Sequence, residues 1–250
     1  AEVSAIFTEP DGYNINDGCG STHMEALQRT VREGAFDVGF AFDGDADRCL
    51  AVDARGNLVD GDQIMALCAT RMKQKGLLRQ DTIVVTVMSN LGLHRFAEKA
   101  GMRLEVTKVG DRYVLERMLE RGYNIGGEQS GHVIFLDDNT TGDGLLSSLH
   151  VCQAMLELNQ PLEELAGLMQ VLPQVLLNVH ATKEQKERYE QDPAVSAEIA
   201  SVEKQLKGAG RVLIRPSGTE PLIRVMLEGE HPDEIQECAR RIAKAIENVK

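Results

Sequence analysis

The chain has 250 residues, 42% of them hydrophobic and 26% charged, enough to bury a substantial core and too long for one ordinary domain. Its formal charge of −12 excludes the net basic surface on which non-specific nucleic-acid binding relies, and it repels anionic substrates at long range, so any phosphate site must depend on local arginines. No apolar run approaches the roughly 18 to 20 residues of a membrane span, and the scattered cysteines Cys19, Cys49, Cys68, Cys152 and Cys238 form neither a zinc cage nor a disulfide framework, which suits the reducing cytoplasm.

The opening Ala1-Glu2-Val3-Ser4 lacks the basic and apolar regions of a signal peptide, carries no initiator Met and reads like the middle of a loop, so a fragment of a longer protein is expected. Thr22 and Glu25 have capping-box spacing, and Met24, Leu27 and Val31 share a helical face up to Gly34. Strands follow at 38–42 and 50–53, then the turn 54–57 and a return strand at 58–59. From Asp60 the rhythm alternates: helix 62–75, strand 82–88, helix 91–100 with Asn90 as its cap, strand 103–107 and helix 111–120. Strands at 124–126 and 133–136 precede a helix capped by Asp143 that runs to 158. This alternation predicts βαβ units and a mainly parallel sheet, with ligands beyond the carboxyl ends of the strands. Residues 171–173 read as an interdomain connection. Beyond them come strand 175–180, a charged segment 183–190 that reads as a solvated face, helix 193–207, strands 211–215 and 222–228, and helix 232–249, a small α+β unit. The expected domains are 1–57, 58–170 and 171–250.

Three loops carry chemistry. Asp43, Asp45 and Asp47 place three carboxylates in five residues, and Gly44 and Ala46 are small enough to let the backbone curl so that they converge on one hard cation. Oxygen-only ligands point to magnesium or calcium rather than zinc. An EF-hand is excluded, because its sixth and twelfth positions would be Arg48 and Ala54. A solvated acidic turn and a phosphatase of the haloacid dehalogenase type, with Asp43 as nucleophile, remain open. The second loop, 127–132, has glycines for close approach and offers Glu128, Gln129, Ser130 and His132, the mixture of donors and acceptors that a sugar needs; an ordinary glycine-rich hairpin is the other reading. The third, 215–221, combines Arg215, Ser217, Gly218 and Thr219 with Arg224 three residues on. Two guanidiniums can grip a phosphate, although the same letters also describe a rigid Pro-bounded turn.

In this order and spacing the three loops resemble the metal loop Asp-Gly-Asp-x-Asp-Arg, the sugar loop Gly-Glu-x-Ser-Gly-His and the phosphate loop Arg-Pro-Ser-Gly-Thr-Glu-Pro of the α-D-phosphohexomutases, and the likeness runs through the whole chain. Ala46 and Gln129 look like the branch acting on glucosamine phosphates; glucose and mannose mutases tend to show Gly and Met there. The resemblance implies α/β domains of the phosphohexomutase type followed by a C-terminal α+β domain. It also implies interconversion of glucosamine 6-phosphate and glucosamine 1-phosphate through a bisphosphate. Asp43, Asp45 and Asp47 would hold Mg²⁺, Arg48 would neutralise the transferring phosphate, and His132 would assist proton transfer or positioning. Glu128 and Ser130 would bind sugar hydroxyls, and Arg215, Ser217, Gly218, Thr219 and Arg224 the non-reacting phosphate. The family's phosphoserine sits in a Ser-His-Asn-Pro-like loop, and no such sequence occurs in this chain, so the partners implied are a phosphosugar substrate and a missing N-terminal domain, with a homodimer left open and no nucleic acid or membrane. A phosphosugar-binding module without catalysis is the alternative of a different class.

Overall fold

The computed structural model describes residues 1–218 and 220–249, and its contacts divide the chain into two compact units, Ala1–Gln170 and Val171–Lys250. No described helix is long and apolar enough to cross a membrane.

In the first unit, α1 (Glu25–Gly34) leads into β1 (Val38–Phe42), β2 (Cys49–Asp53) and β3 (Leu58–Val59), an antiparallel meander in the order β1-β2-β3. The helix starts later than the Thr22 capping box predicts: Met24 is the N-cap and no side chain caps the helix. The residues before it are held elsewhere, since the Ser21 amide donates to the Phe42 carbonyl at 3.1 Å and the His23 amide to that of Gly20 at 3.1 Å. β1 alternates half-buried and buried residues, as a strand with one face on a core should, whereas every residue of the central β2 is buried. Phe42 pairs with Cys49, so residues 43–48 are the connection of a hairpin.

The second sheet follows. Helix α2 (Gly61–Gln74), β4 (Thr82–Thr86), α3 (Leu91–Lys99), β5 (Arg103–Thr107), α4 (Asp111–Arg121), β6 (Ile125–Gly127), β7 (Val133–Phe135), α5 (Gly144–Leu158) and α6 (Leu162–Ala166) surround a sheet of order β5-β4-β6-β7. The parallel pairing expected of the α/β part is carried by this sheet, in β4 with β5 and β4 with β6, while β6 and β7 are antiparallel. β4 is buried along its whole length, as a strand covered on both faces must be. Asn90 and Asp143 cap α3 and α5 as expected, accepting from the amides of Gly92 and Leu146. Ile64, Met65, Leu67, Ile83, Ile125, Phe135 and Val151 are at the centre of the core.

The second unit contains β8 (Gln174–His180), α7 (Lys183–Arg188), α8 (Pro193–Leu206), β9 (Gly210–Pro216), β10 (Leu222–Gly229) and α9 (Pro232–Glu247). Its sheet, β8-β10-β9, is antiparallel throughout. Ile235, Cys238, Ala239, Ile242, Ala243 and Ile246 recur at helical spacing and form the buried stripe of α9, against a core that includes Val179, Val195, Ile223 and Val225. All five cysteines are free.

Candidate functional site

The acidic loop curls at one residue. Ala46 takes a left-handed conformation, φ +60°, and its amide donates to the Asp43 carbonyl at 3.2 Å. The chain folds back, and Asp43, Asp45 and Asp47 each bring a carboxylate oxygen within 4.8 Å of the others. The Asp43 carboxylate also accepts from the Arg48 amide at 3.1 Å, and the Arg48 Nε lies 3.7 Å from Asp43 and 3.9 Å from Asp47. Burial and the adjacent Asp43 carboxylate push the Asp47 carboxyl above its usual range, with His132 opposing. Asp47 Oδ1 is buried without a hydrogen bond. An orphaned carboxylate oxygen among three converging carboxylates fits a hard dication, whose charge would offset their repulsion.

The glycine loop is locked against this one. The Cys49 amide donates to the Gly131 carbonyl at 3.0 Å, and Gly131, φ +95°, passes so near that a Cβ there would lie 2.4 Å from the Cys49 carbonyl oxygen. His132 is 3% exposed, with Nε2 3.4 Å from Asp47 and 4.0 Å from Asp111. A hydrogen bond of 2.9 Å from the Gly110 amide holds the Glu128 carboxylate at the start of α4, while Ser130 is exposed. Gln129 turns away to donate to Asp60 at 3.1 Å, and its carbonyl accepts from Gly61 at 3.0 Å. The structure thus brings Asp43, Asp45, Asp47, Arg48 and His132 into one cluster, with Glu128 and Ser130 on the adjoining loop.

In the second unit, Arg215 pairs with Arg224 across β9 and β10. Directly opposite residues project to the same face, so the two side chains leave the sheet side by side although nine positions separate them. Ser217 closes the turn through its amide, which donates to Leu222 at 2.9 Å, and its hydroxyl, which accepts from the Glu220 amide at 3.1 Å. Gly218 is exposed; Thr219, assigned to the phosphate by sequence, lies outside the described residues. The Glu220 carboxylate holds Arg224 at 2.8 Å. Lys186, from α7, donates to the carbonyl of Ser217 and, at 3.0 Å, to that of Glu220.

Residues 60–172 match the family description "Phosphoglucomutase/phosphomannomutase, alpha/beta/alpha domain III", and residues 176–245 match "Phosphoglucomutase/phosphomannomutase, C-terminal domain". The chain belongs to the α-D-phosphohexomutase family. It is 57% identical over 247 residues to the phosphoglucosamine mutase of Ruminiclostridium cellulolyticum and 56% identical over 248 residues to that of Caldicellulosiruptor saccharolyticus, matching 99% of this chain and 55% of each relative. The chain therefore spans about half the length of the curated relatives it matches. Among solved structures, an Aspergillus fumigatus N-acetylphosphoglucosamine mutase in complex with GlcNAc-6P and magnesium superposes with a TM-score of 0.76 at 23% identity, covering 93% of this chain and 53% of that one. A phosphoglucomutase/phosphomannomutase family protein of Burkholderia thailandensis gives 0.73 at 22%, covering 91% and 51%. Likeness at that identity concerns the fold alone.

Within this phosphohexomutase chain, sequence reasoning missed residues that support the loops. Asp60 caps α2 and holds Gln129, and burial pushes its carboxyl up against the opposing hydrogen bonds from Gln63 and Gln129. Gly142 presses on His132, where a Cβ would meet the imidazole Nε2 at 2.4 Å. Lys186 lay in the segment read as a solvated face; it is half-buried on the arginine hairpin, and Tyr189 in the same segment is part of the core. The available signal was the Thr182–Gln185 capping spacing, which marks 183–188 as a helix with a fixed face.

Proposed function

We propose that this chain is the C-terminal part of a phosphoglucosamine mutase, which interconverts glucosamine 6-phosphate and glucosamine 1-phosphate in the supply of amino-sugar nucleotides and cell-wall precursors in the cytoplasm. The observation that carries the reading is the 57% identity to phosphoglucosamine mutases along 99% of the chain, with all three loops unbroken. Asp43, Asp45 and Asp47 are the residues that would hold Mg²⁺, which when bound offsets negative charge on the transferring phosphoryl group. Arg48 adds a guanidinium beside the same carboxylates and faces the moving phosphate. Glu128 and Ser130 recognise sugar hydroxyls as acceptor and donor. His132, buried against Asp47, takes or returns a hydroxyl proton or orients the sugar. Arg215, Ser217, Gly218, Thr219 and Arg224 hold the phosphate that is not reacting. Because the sugar must bind in two orientations, firm phosphate recognition and looser ring recognition belong on separate loops. The division of the first unit into domains 1–57 and 58–170 is part of the same proposal.

The phosphorylated serine is supplied from outside these residues, so the chain alone lacks mutase turnover but keeps phosphosugar affinity. Calorimetry with glucosamine 6-phosphate tests this: binding to the wild type and its loss in Arg215→Ala are expected. Equal heats in both proteins would remove the hairpin from the site, and binding to a complete enzyme without turnover would favour the phosphosugar-binding module.

A further inference from the structure

We infer that Lys186 is a positioning residue of the arginine hairpin, fixing its turn in the form that receives a phosphate; this rests on the phosphate role proposed above. Helix α7 is short but held at both ends. Thr182 and Gln185 form a reciprocal capping box, the Gln185 side chain also donates to the Val249 carbonyl at 2.8 Å, and the buried Tyr189 follows the last turn. From this base the Lys186 ammonium, a group with three donors and no acceptor, reaches the carbonyls of Ser217 and Glu220. Ser217 and Glu220 lie on either side of Gly218, so the contact ties two separate points of the loop together. Lys186 makes no ion pair among the described residues, and its charge falls on the loop itself.

Glu220 is the hub of this arrangement. Its carbonyl is held by Lys186, its amide by the Ser217 hydroxyl and its carboxylate by Arg224. Displacing the Glu220 backbone would therefore also move an arginine of the proposed phosphate grip. The amides of Ser217 and Glu220 are already used, by Leu222 and by the Ser217 hydroxyl, so among the described backbone amides of the turn that of Gly218 is left to join the paired arginines as a donor to an anion. A clamp on these carbonyls presents the donors before ligand arrives, and ordering a loop in advance removes an entropy cost from binding.

The test uses the 250-residue chain as wild type, Lys186→Met and Lys186→Arg. Amide hydrogen exchange at Gly218 and Glu220 is measured without ligand, and affinity for glucosamine 6-phosphate by calorimetry. Lys186→Met should speed exchange at Glu220 about tenfold and weaken affinity about tenfold with the circular dichroism unchanged, and Lys186→Arg should recover most of both. Unchanged exchange in Lys186→Met overturns the clamp, even where affinity falls, since Lys186 would then act on the ligand directly. Faster exchange in a wild-type background that shows no affinity upholds the clamp and counts against the phosphate reading instead. Should Lys186→Met unfold, Lys186→Gln, which keeps an N–H donor without the charge, is read by the same two measurements.

Discussion

Asp47 and Gly142 show how closely single residues are bound to the cluster. The raised pKa of Asp47 means that its surroundings, taken together, disfavour its charge. Asp47→Asn should therefore make the metal-free protein somewhat more stable. With magnesium chloride added the order should reverse, the wild type gaining more than the variant, because a ligand of the folded state stabilises by mass action. Urea denaturation with and without the salt measures both effects; a wild type indifferent to magnesium would contradict the metal assignment. At Gly142 the constraint is steric. A methyl there would overlap the imidazole of His132, which is nearly fully buried. Gly142→Ala should cost about 1 to 3 kcal/mol and move the His132 ring resonances in a proton NMR spectrum, and unchanged resonances would mean that the loop yields instead.

Among the elements, α2 links the fold to the site. Its cap Asp60 satisfies the first-turn amide of Gln63 and also grips Gln129 of the glycine loop. Asp60→Ala should destabilise the chain by about 1 to 2 kcal/mol in urea melts, while Asp60→Asn, which can still cap, should lose less. Helix α5 carries a pH response. His150 stacks on Phe135 of β7 at 3.8 Å between ring centroids, and burial lowers its pKa below the ordinary 6.5 although Asp138 opposes. The unfolded chain takes up this proton first as pH falls, so the His150 contribution is complete above pH 6.5 and is lost as pH drops below it. Replacing His150 by Phe should flatten the stability curve in that range; an unaltered slope would assign it to other groups. Caps and strands such as Asp143, Asn90 and β1 were legible because their signals are local. Helix α1 was placed too early because Ser21 and His23 spend their amides on turn and strand partners that no spacing reveals.

At the scale of the molecule, the two units keep separate cores, with Val179, Val195, Ile223 and Ile242 among those of the second. Residues 171–250 expressed alone should give a cooperative unfolding transition by circular dichroism, and a non-cooperative melt would show that this core is insufficient. The three loops could be read from sequence because each is a contiguous run with unusual chemistry. Their supports could not: Asp60 and Gln129 are 69 positions apart, and Lys186 lies 31 before Ser217. Contacts of that separation arise from tertiary packing and leave no local pattern. The central proposal, that this chain carries the metal, sugar and phosphate loops of a phosphosugar mutase but not its serine, is tested most directly by phosphorus NMR of glucosamine 6-phosphate with the chain and magnesium. A ligand resonance that shifts on binding, keeps its position with Arg215→Ala, and never gives way to glucosamine 1-phosphate is the predicted result. Appearance of glucosamine 1-phosphate, or a resonance that the wild-type chain leaves unmoved, would contradict it.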